Sequence, residues 1–302
     1  MSQESPPRER ANPVPRPHRV VVVGSVIAEV IMQVEELATR GGVAQADAAR
    51  ARAGGGYHVL LAARRAGLEA ALVGRVGTGP MARLISRALN REGIEVLLPE
   101  REGEQGFTVL LVEPDRTTTR VSSPGVESGF EAGELAQVQL RGDDVVYLSC
   151  QDLLDGPTAD AVSAWVRGGG LGAAILVLDP GPLVADVPDE VLDVLLARTD
   201  VITVGARELE LMSGAPGGVD RDRDLADLAD LLAPDAIVLL RLGSGGYVVH
   251  ERGGESHTYP DDPAAQERLR EVGDLLARLA ELRHPDESPG DEQPVALLAS
   301  DG

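Results

Sequence analysis

Short apolar runs rich in β-branched residues recur along this chain, separated by amphipathic stretches. That alternation restricts the fold more than any other feature. Val20–Val23, Ala70–Val73, Val145–Ser149, Ile175–Leu178, Val201–Val204 and Ile237–Leu240 are near-continuously apolar. Strands buried on both faces read this way, so these segments predict a mostly parallel sheet. Between them, His58–Ala66, Met81–Arg91, Thr158–Arg167, Glu190–Ala197, Arg207–Met212 and Asp222–Leu232 carry helical spacing. The expectation is a three-layer α/β fold with helices on both faces of a central sheet. Ile27–Val34 and Phe107–Glu113 look like strands with no helix after them. They suit a small β-structured flap beside the main sheet, at about 27–52 and 105–122.

The boundaries follow from composition. Residues 1–18 are polar and Pro-rich and are expected to form a disordered arm; 19–283 carry the α/β pattern; 284–302 form an acidic, Pro-rich tail. Leu269, Val272, Leu276 and Leu279 fall at helical spacing, which predicts one amphipathic helix within Pro263–Arg283.

Charge and residue usage exclude whole classes of function. The 28 basic and 49 acidic side chains give a formal net charge of −21. Such a balance argues against a nucleic-acid or anionic-membrane partner, since phosphate backbones and anionic lipids need clustered positive charge. All 28 basic residues are Arg. Without Lys there is no Schiff-base lysine, no Walker A lysine and no ATP-pairing lysine of the protein-kinase kind. Cys150 is the only cysteine, so neither an intrachain disulfide nor a Cys-rich zinc site can form. The most apolar stretch, Val20–Val34, is broken by Gly24 and Glu29 and is too short to span a bilayer. A cytoplasmic protein is expected.

Several motifs could carry chemistry. Ala53-Gly54-Gly55-Gly56-Tyr57-His58 is a Gly-rich turn running into a helix, where the backbone can approach a ligand closely. It is equally explained as a tight turn. Residues 77–82 fit G-x-G-x-x-A after a strand, a weak dinucleotide signal that Pro80 at a helix start also explains. Asp179, at the end of a strand, falls on the rim where α/β proteins bind ligands. Glu208 opens a helix after Val201–Val204, where it could hold hydrated Mg²⁺ or simply complement the helix dipole. Leu242-Gly243-Ser244-Gly245-Gly246 suits either nucleotide approach or a plain hairpin. Asp274, after Gly273 in Val272-Gly273-Asp274-Leu275-Leu276, is on its own an ordinary solvated helix residue. The His residues show no metal-ligand spacing, and there is no G-x-S-x-G nucleophile elbow.

In this order the motifs resemble the ribokinase-like (PfkB) carbohydrate kinase family over about residues 19–280. A-G-G-G-Y-H followed by A-A-R-R-A-G-L and G-R-V-G is similar to its amino-terminal signature. D-P-G-P, R-E-L-E-L-M-S-G and R-L-G-S-G-G are similar to three later landmarks. The resemblance implies a ribokinase-like fold with a β lid, and transfer of the γ-phosphoryl group of ATP, with Mg²⁺, to a hydroxyl of a sugar or nucleoside. It places Asp274 as catalytic base with Gly273 in its anion-binding turn, and Glu29, Gly54, Gly55 and His58 on the substrate. Gly243 and Gly246 fall beside the nucleotide and Glu208 on the metal. Lid strands in such a fold often supply a homodimer surface.

The chain departs from the family pattern at identifiable positions. Glu29 stands for an Asp, His58 for an Asn, and Gly205 for the Asn of an Asn–Glu pair completed by Glu208. Glu271 replaces a glycine in the anion-binding turn, where a carboxylate repels phosphate. A second reading therefore stands beside the kinase: a ribokinase-fold protein that binds a small molecule without transferring phosphate.

Overall fold

The computed structural model describes residues 18–213, 221–242, 246–254 and 256–259. The expected helix within Pro263–Arg283, and with it Gly273 and Asp274, lies outside the described residues, as does Gly243.

The chain begins with β1 (Arg19–Val23), then forms β2 (Val26–Val34), β3 (Ala46–Gly55), α1 (Tyr57–Arg65), β4 (Glu69–Val73), α2 (Pro80–Arg91) and the short β5 (Glu95–Val96). A hairpin of β6 (Phe107–Val112) and β7 (Thr118–Ser123) follows, then the single turn α3 (Ala132–Leu135). Next come β8 (Asp144–Ser149), α4 (Gly156–Arg167), β9 (Ile175–Asp179), α5 (Asp189–Leu196), β10 (Val201–Gly205) and α6 (Ala206–Ser213). The described part closes with α7 (Arg221–Asp230), β11 (Ile237–Arg241), β12 (Tyr247–Glu251) and β13 (Ser256–Tyr259).

Nine strands form the main sheet in the order β13-β12-β11-β10-β9-β8-β1-β4-β5. Pairing is parallel from β5 to β11, while β12 and β13 add an antiparallel edge. The apolar runs split by period two onto the two faces, as strands covered on both sides must. Val21, Val23, Val146, Leu148, Leu176, Leu178, Ile202 and Val204 pack with residues of α4, α5, α6 and α7. Val20, Val22, Ala70, Leu72, Val145 and Tyr147 pack with α1 and α2. Every parallel strand therefore ends on the same edge, and ligand sites of such sheets lie outside that carboxyl edge.

The opposite edge is built for stability. Arg19 and Asp144 are register partners at the starts of β1 and β8, with Nε donating to Oδ1 at 2.9 Å and Nη2 to Oδ2 at 2.6 Å. Both side chains are buried, and the paired geometry offsets the cost of desolvating two charges.

The lid is a separate four-stranded sheet in the order β3-β2-β6-β7. β2 pairs antiparallel with β3 and parallel with β6, and β6 turns back into β7. The two strand-like segments lacking a following helix are β2 and β6. β3, however, has the composition ADAARARAGG, which carries no β-branched residue. Its outer positions are exposed, and pairing with β2 from Val26↔Gly55 to Val34↔Ala46 makes it a strand. Gly54 and Gly55 accordingly end a strand rather than form a turn, and the helix starts two residues later at Tyr57.

Candidate active site

Where β1 ends, the chain passes through Ser25 into the lid, and this crossing organises the site. The Ser25 carbonyl accepts the Gly56 N–H at 2.9 Å, tying the Gly-rich segment to the end of β1. The Ser25 N–H donates to Asp152 Oδ1 at 3.1 Å, tying it also to the turn after β8. Gly55 adopts φ +64, and a Cβ there would lie 2.9 Å from the Ser25 carbonyl oxygen and 3.6 Å from Ile27. A side chain at 55 would thus meet both a backbone conformation and a contact that favour glycine.

On β2, Glu29 faces its register partner Arg52 of β3, whose Nε donates to Oε2 at 2.9 Å. His58 Nε2, in the first turn of α1, lies 3.5 Å from Oε1 of the same carboxylate. A Cβ on Gly54 would come within 2.2–2.4 Å of the Glu29 side chain, so the missing side chain is what admits Glu29 to this place. Burial opposes ionisation of Glu29, but the His58 ring and the Arg52 guanidinium outweigh it and lower its pKa to about 2. Glu29, Gly54, Gly55 and His58, drawn together from sequence, are contiguous.

A cleft of about 390 Å³ opens between the lid and the carboxyl edge. Ser25 and Ile27 line it from the crossing, Phe107, Thr108, Ser122 and Ser123 from the β6–β7 hairpin, and Gln151, Asp152, Leu154 and Asp155 from the segment after β8. Apolar faces beside hydroxyl, amide and carboxylate groups in a space of this size suit a small polar ligand. Two of the lining acids serve the scaffold. Glu127 accepts the Gly106 and Gly125 N–H groups at 2.7 and 2.8 Å and fastens the lid's root. Asp155 caps α4 through Thr158. Asp152 differs: desolvation, aided by the nearby Glu127 and Asp179 charges, pushes its pKa up to about 6 against the lowering effect of Ser25. Sequence reasoning passed over Asp152. Its signal is modest, an acid three residues beyond an apolar strand on the ligand-binding edge.

Two motif readings change. Asp179, taken as a rim residue, is fully buried at the end of β9, where the Tyr147 hydroxyl donates to its Oδ2. The G-x-G-x-x-A turn opens α2, but Glu104 Oε1 already accepts the Met81 and Ala82 N–H groups at 3.1 and 3.2 Å. A Cβ on Gly79 would lie 2.4 Å from that carboxylate. The place a pyrophosphate would take is filled by an anion from the chain itself, so the dinucleotide reading fails. Gly246 has φ +85 and its carbonyl accepts the Leu242 N–H at 2.8 Å, closing the β11–β12 hairpin.

Glu208 lies in the first turn of α6. Its Oε2 accepts the Gly205 N–H at 2.6 Å and sits 3.4 Å from Arg241 Nη2. A Cβ at 205 would come 2.4 Å from that same oxygen, so the lack of a side chain there is what lets the carboxylate fold back. A dication at this oxygen would share it with a guanidinium, and among the described residues no group of three His, Cys, Asp or Glu could hold a metal ion. These residues do not fit a metal held by Glu208.

Residues 17–265 match the model of the pfkB family of carbohydrate kinases. The chain belongs to that family. An uncharacterized sugar kinase of Escherichia coli K12, YegV, is 28% identical over 193 residues, which cover 64% of this chain and 59% of that protein. The chain thus matches about three-fifths of the length of that curated relative. The ribokinase of Thermotoga maritima superposes with a TM-score of 0.68 at 14% identity, over 87% of this chain and 90% of that one. The adenosine kinase of Sinorhizobium meliloti gives 0.65 at 17% identity, covering 88% of each chain. The ribokinase of Arabidopsis thaliana, complexed with ribose and ATP, gives 0.61 at 21% identity, over 89% and 86%. The fold is ribokinase-like. Among the described residues no helix is long and apolar enough to cross a membrane.

Proposed function

We propose that this pfkB-family chain transfers the γ-phosphoryl group of ATP to a hydroxyl of a sugar or nucleoside. The observation that carries the reading is the cleft between lid and carboxyl edge; Glu29, Gly54, Gly55 and His58 lie together beside the same crossing, next to the cleft rather than among the residues that line it. Glu29, held ionised by Arg52 and His58, accepts hydrogen bonds from substrate hydroxyls, and Gly54 and Gly55 let the backbone approach the ring. The lid hairpin covers the ligand and limits water beside the phosphate. Asp274 takes the proton of the attacking hydroxyl, a new O–P bond forms to that oxygen, and the bond from the γ-phosphorus to the ADP leaving oxygen breaks. Gly273 supplies an amide in the anion-binding turn, and Gly243 and Gly246 border the nucleotide. ATP enters as its magnesium complex, the ion balancing charge on the phosphates. A homodimer through the lid strands and a cytoplasmic location complete the proposal.

The test is calorimetric titration with ATP–Mg²⁺, followed by ADP release measured across a panel of sugars and nucleosides. ATP binding and acceptor-dependent ADP release support the reading. Acceptor binding without nucleotide binding would instead establish the small-molecule binder. Asp274→Asn is expected to lower the transfer rate by about a thousandfold or more while leaving the circular dichroism spectrum unchanged. A rate unaffected by that substitution removes Asp274 as the base.

A further inference from the structure

The turn between β4 and α2, excluded above as a dinucleotide site, makes other contacts. It meets both ends of the β6–β7 hairpin, which supplies Phe107, Thr108, Ser122 and Ser123 to the cleft wall. Gln105 stands at the entry, two residues before β6, and is 1% exposed. Its Oε1 accepts the Gly77 N–H at 2.9 Å, while Nε2 donates to the Arg75 carbonyl at 3.2 Å and to the Val26 carbonyl at 2.7 Å. One donor and two acceptors match one amide, so a single side chain joins the first residue of β2, the root of β6 and the turn after β4. At the exit, Arg75 Nη1 donates to the Ser128 carbonyl at 2.8 Å. Arg75 is 3% exposed, and Glu134 accepts from its Nε at 2.9 Å and its Nη2 at 2.5 Å, with Glu131 Oε1 at 3.3 Å from Nη2. A fork gripped on both arms has one orientation, and here it points at Ser128. Between entry and exit, Glu127 accepts the Gly106 and Gly125 N–H groups and ties the two legs of the hairpin to each other.

We propose that Arg75 and Gln105 are positioning residues for the acceptor, fixing the β6–β7 wall of the cleft before any ligand enters, so that acceptor binding carries no cost of ordering that wall. The inference rests on the kinase reading above and goes beyond it by assigning the shape of the cleft to two buried residues that do not line it. It also gives the turn after β4 a role: its backbone and the Arg75 side chain hold the hairpin at its entry and at its exit.

The test uses the full chain. Hydrogen exchange followed by mass spectrometry, with no ligand present, reads the wall directly. Gln105→Leu leaves the Gly77 N–H and two carbonyls without this partner, and amides 107–123 should exchange about tenfold faster than in the wild type, while those of β8 and β9 stay within about twofold. ADP release across the sugar and nucleoside panel reads the consequence. KM for the acceptor should rise by about tenfold or more, with kcat and KM for ATP–Mg²⁺ within about threefold, because the loosened wall is ordered again on binding. A purely structural role would lower the thermal midpoint and the active fraction and leave both KM values where they were. Exchange in 107–123 unchanged by Gln105→Leu overturns the inference. So does an acceptor KM that stays put or moves together with that for ATP–Mg²⁺, and none of these results touches the kinase reading. A wild type that releases no ADP with any acceptor overturns the kinase reading itself, and the exchange comparison alone then decides the brace. Should Gln105→Leu fail to fold, Arg75→Lys decides. Lys keeps the charge beside Glu134 but has no fork to span Glu134 and the Ser128 carbonyl. Faster exchange in 107–123 with a raised acceptor KM supports the inference, and wild-type values of either refute it.

Discussion

Glu29 and Asp152 both stand beside the crossing from β1 into the lid, and burial disfavours the charged form of each. Their outcomes are opposite. Glu29 has a guanidinium and an imidazole against its two oxygens, and its pKa falls to about 2. Asp152 has Ser25 as hydrogen-bond partner and two acids nearby, and its pKa rises to about 6. Partner charge, rather than depth, decides the ionisation state of an acid here. Glu29 is consequently a fixed negative charge, suited to a permanent role with hydroxyl groups. Asp152 is an acid whose charge is costly without a ligand and available to one that supplies a hydrogen-bond donor.

The largest effect that would break this comparison comes from crowding Glu29. Gly54→Ala places a methyl group within 2.4 Å of a side chain already pinned by Arg52 and His58. The side chain must leave its place while the backbone of β3 stays paired to β2. Acceptor affinity should fall by about a hundredfold, with the thermal midpoint changed little, because truncating or displacing one member of an enclosed charge pair costs about 2–5 kcal/mol of binding. Glu29→Gln should produce a loss of similar direction and smaller size. Full acceptor affinity in Gly54→Ala would mean that Glu29 does not touch the ligand.

The next test separates stability from function at Asp152. Its folded pKa lies above the unfolded value of 3.8, so the folded state gains stability as pH falls from about 6 towards 4 and carries a penalty at neutral pH. Asp152→Asn removes that penalty. It should raise stability at pH 7 by roughly 1–3 kcal/mol in denaturant titrations and flatten stability between pH 4 and 6, while weakening acceptor binding. Glu29 behaves the other way: its folded pKa lies below 4.5, so its contribution is present above that pH and fades as pH drops towards 2. An Asp152→Asn variant that is less stable at pH 7 would place the carboxylate in the scaffold with Glu127 and Asp155.

The same contrast explains how much was legible beforehand. Six of the seven parallel strands of the main sheet announce themselves because each is apolar, with bounds in the structure within a residue of the apolar runs, whereas the two-residue β5, Glu95–Val96, carries no such signal. Nor does β3 announce itself, because nine residues of pairing with β2 override a composition of Ala and Arg. Gly54 and His58 belong to one short motif that runs from β3 into α1, whereas Glu29 was set beside them only through the family resemblance; the structure brings the three side by side. Asp152 and Arg241 depend on meetings with Ser25 and Glu208, 127 and 33 residues away in sequence, which no local pattern encodes. Asp179 misled for the converse reason. It stands at the end of its strand as a rim residue should, but Tyr147 draws it into the interior.

A third carboxylate, Glu104, gives the smallest test. Like Glu29 it is satisfied by donors, but these are the first N–H groups of α2 together with its neighbour Gln105 N–H at 2.9 Å. It acts as a helix cap supplied from a distant segment, compensating for Gly79 at the N-cap position, which makes no side-chain cap of its own. Glu104→Ala should cost about 1 kcal/mol of stability, the usual worth of a cap, and leave acceptor and ATP affinity unchanged. The exposed N–H groups would then be open to an anion, so sulfate should stabilise the variant more than the wild type in thermal melts. If the variant instead lost ATP affinity, the amino-terminal end of α2 would belong to the active cleft, and the division drawn here between scaffold carboxylates and ligand carboxylates would have to move.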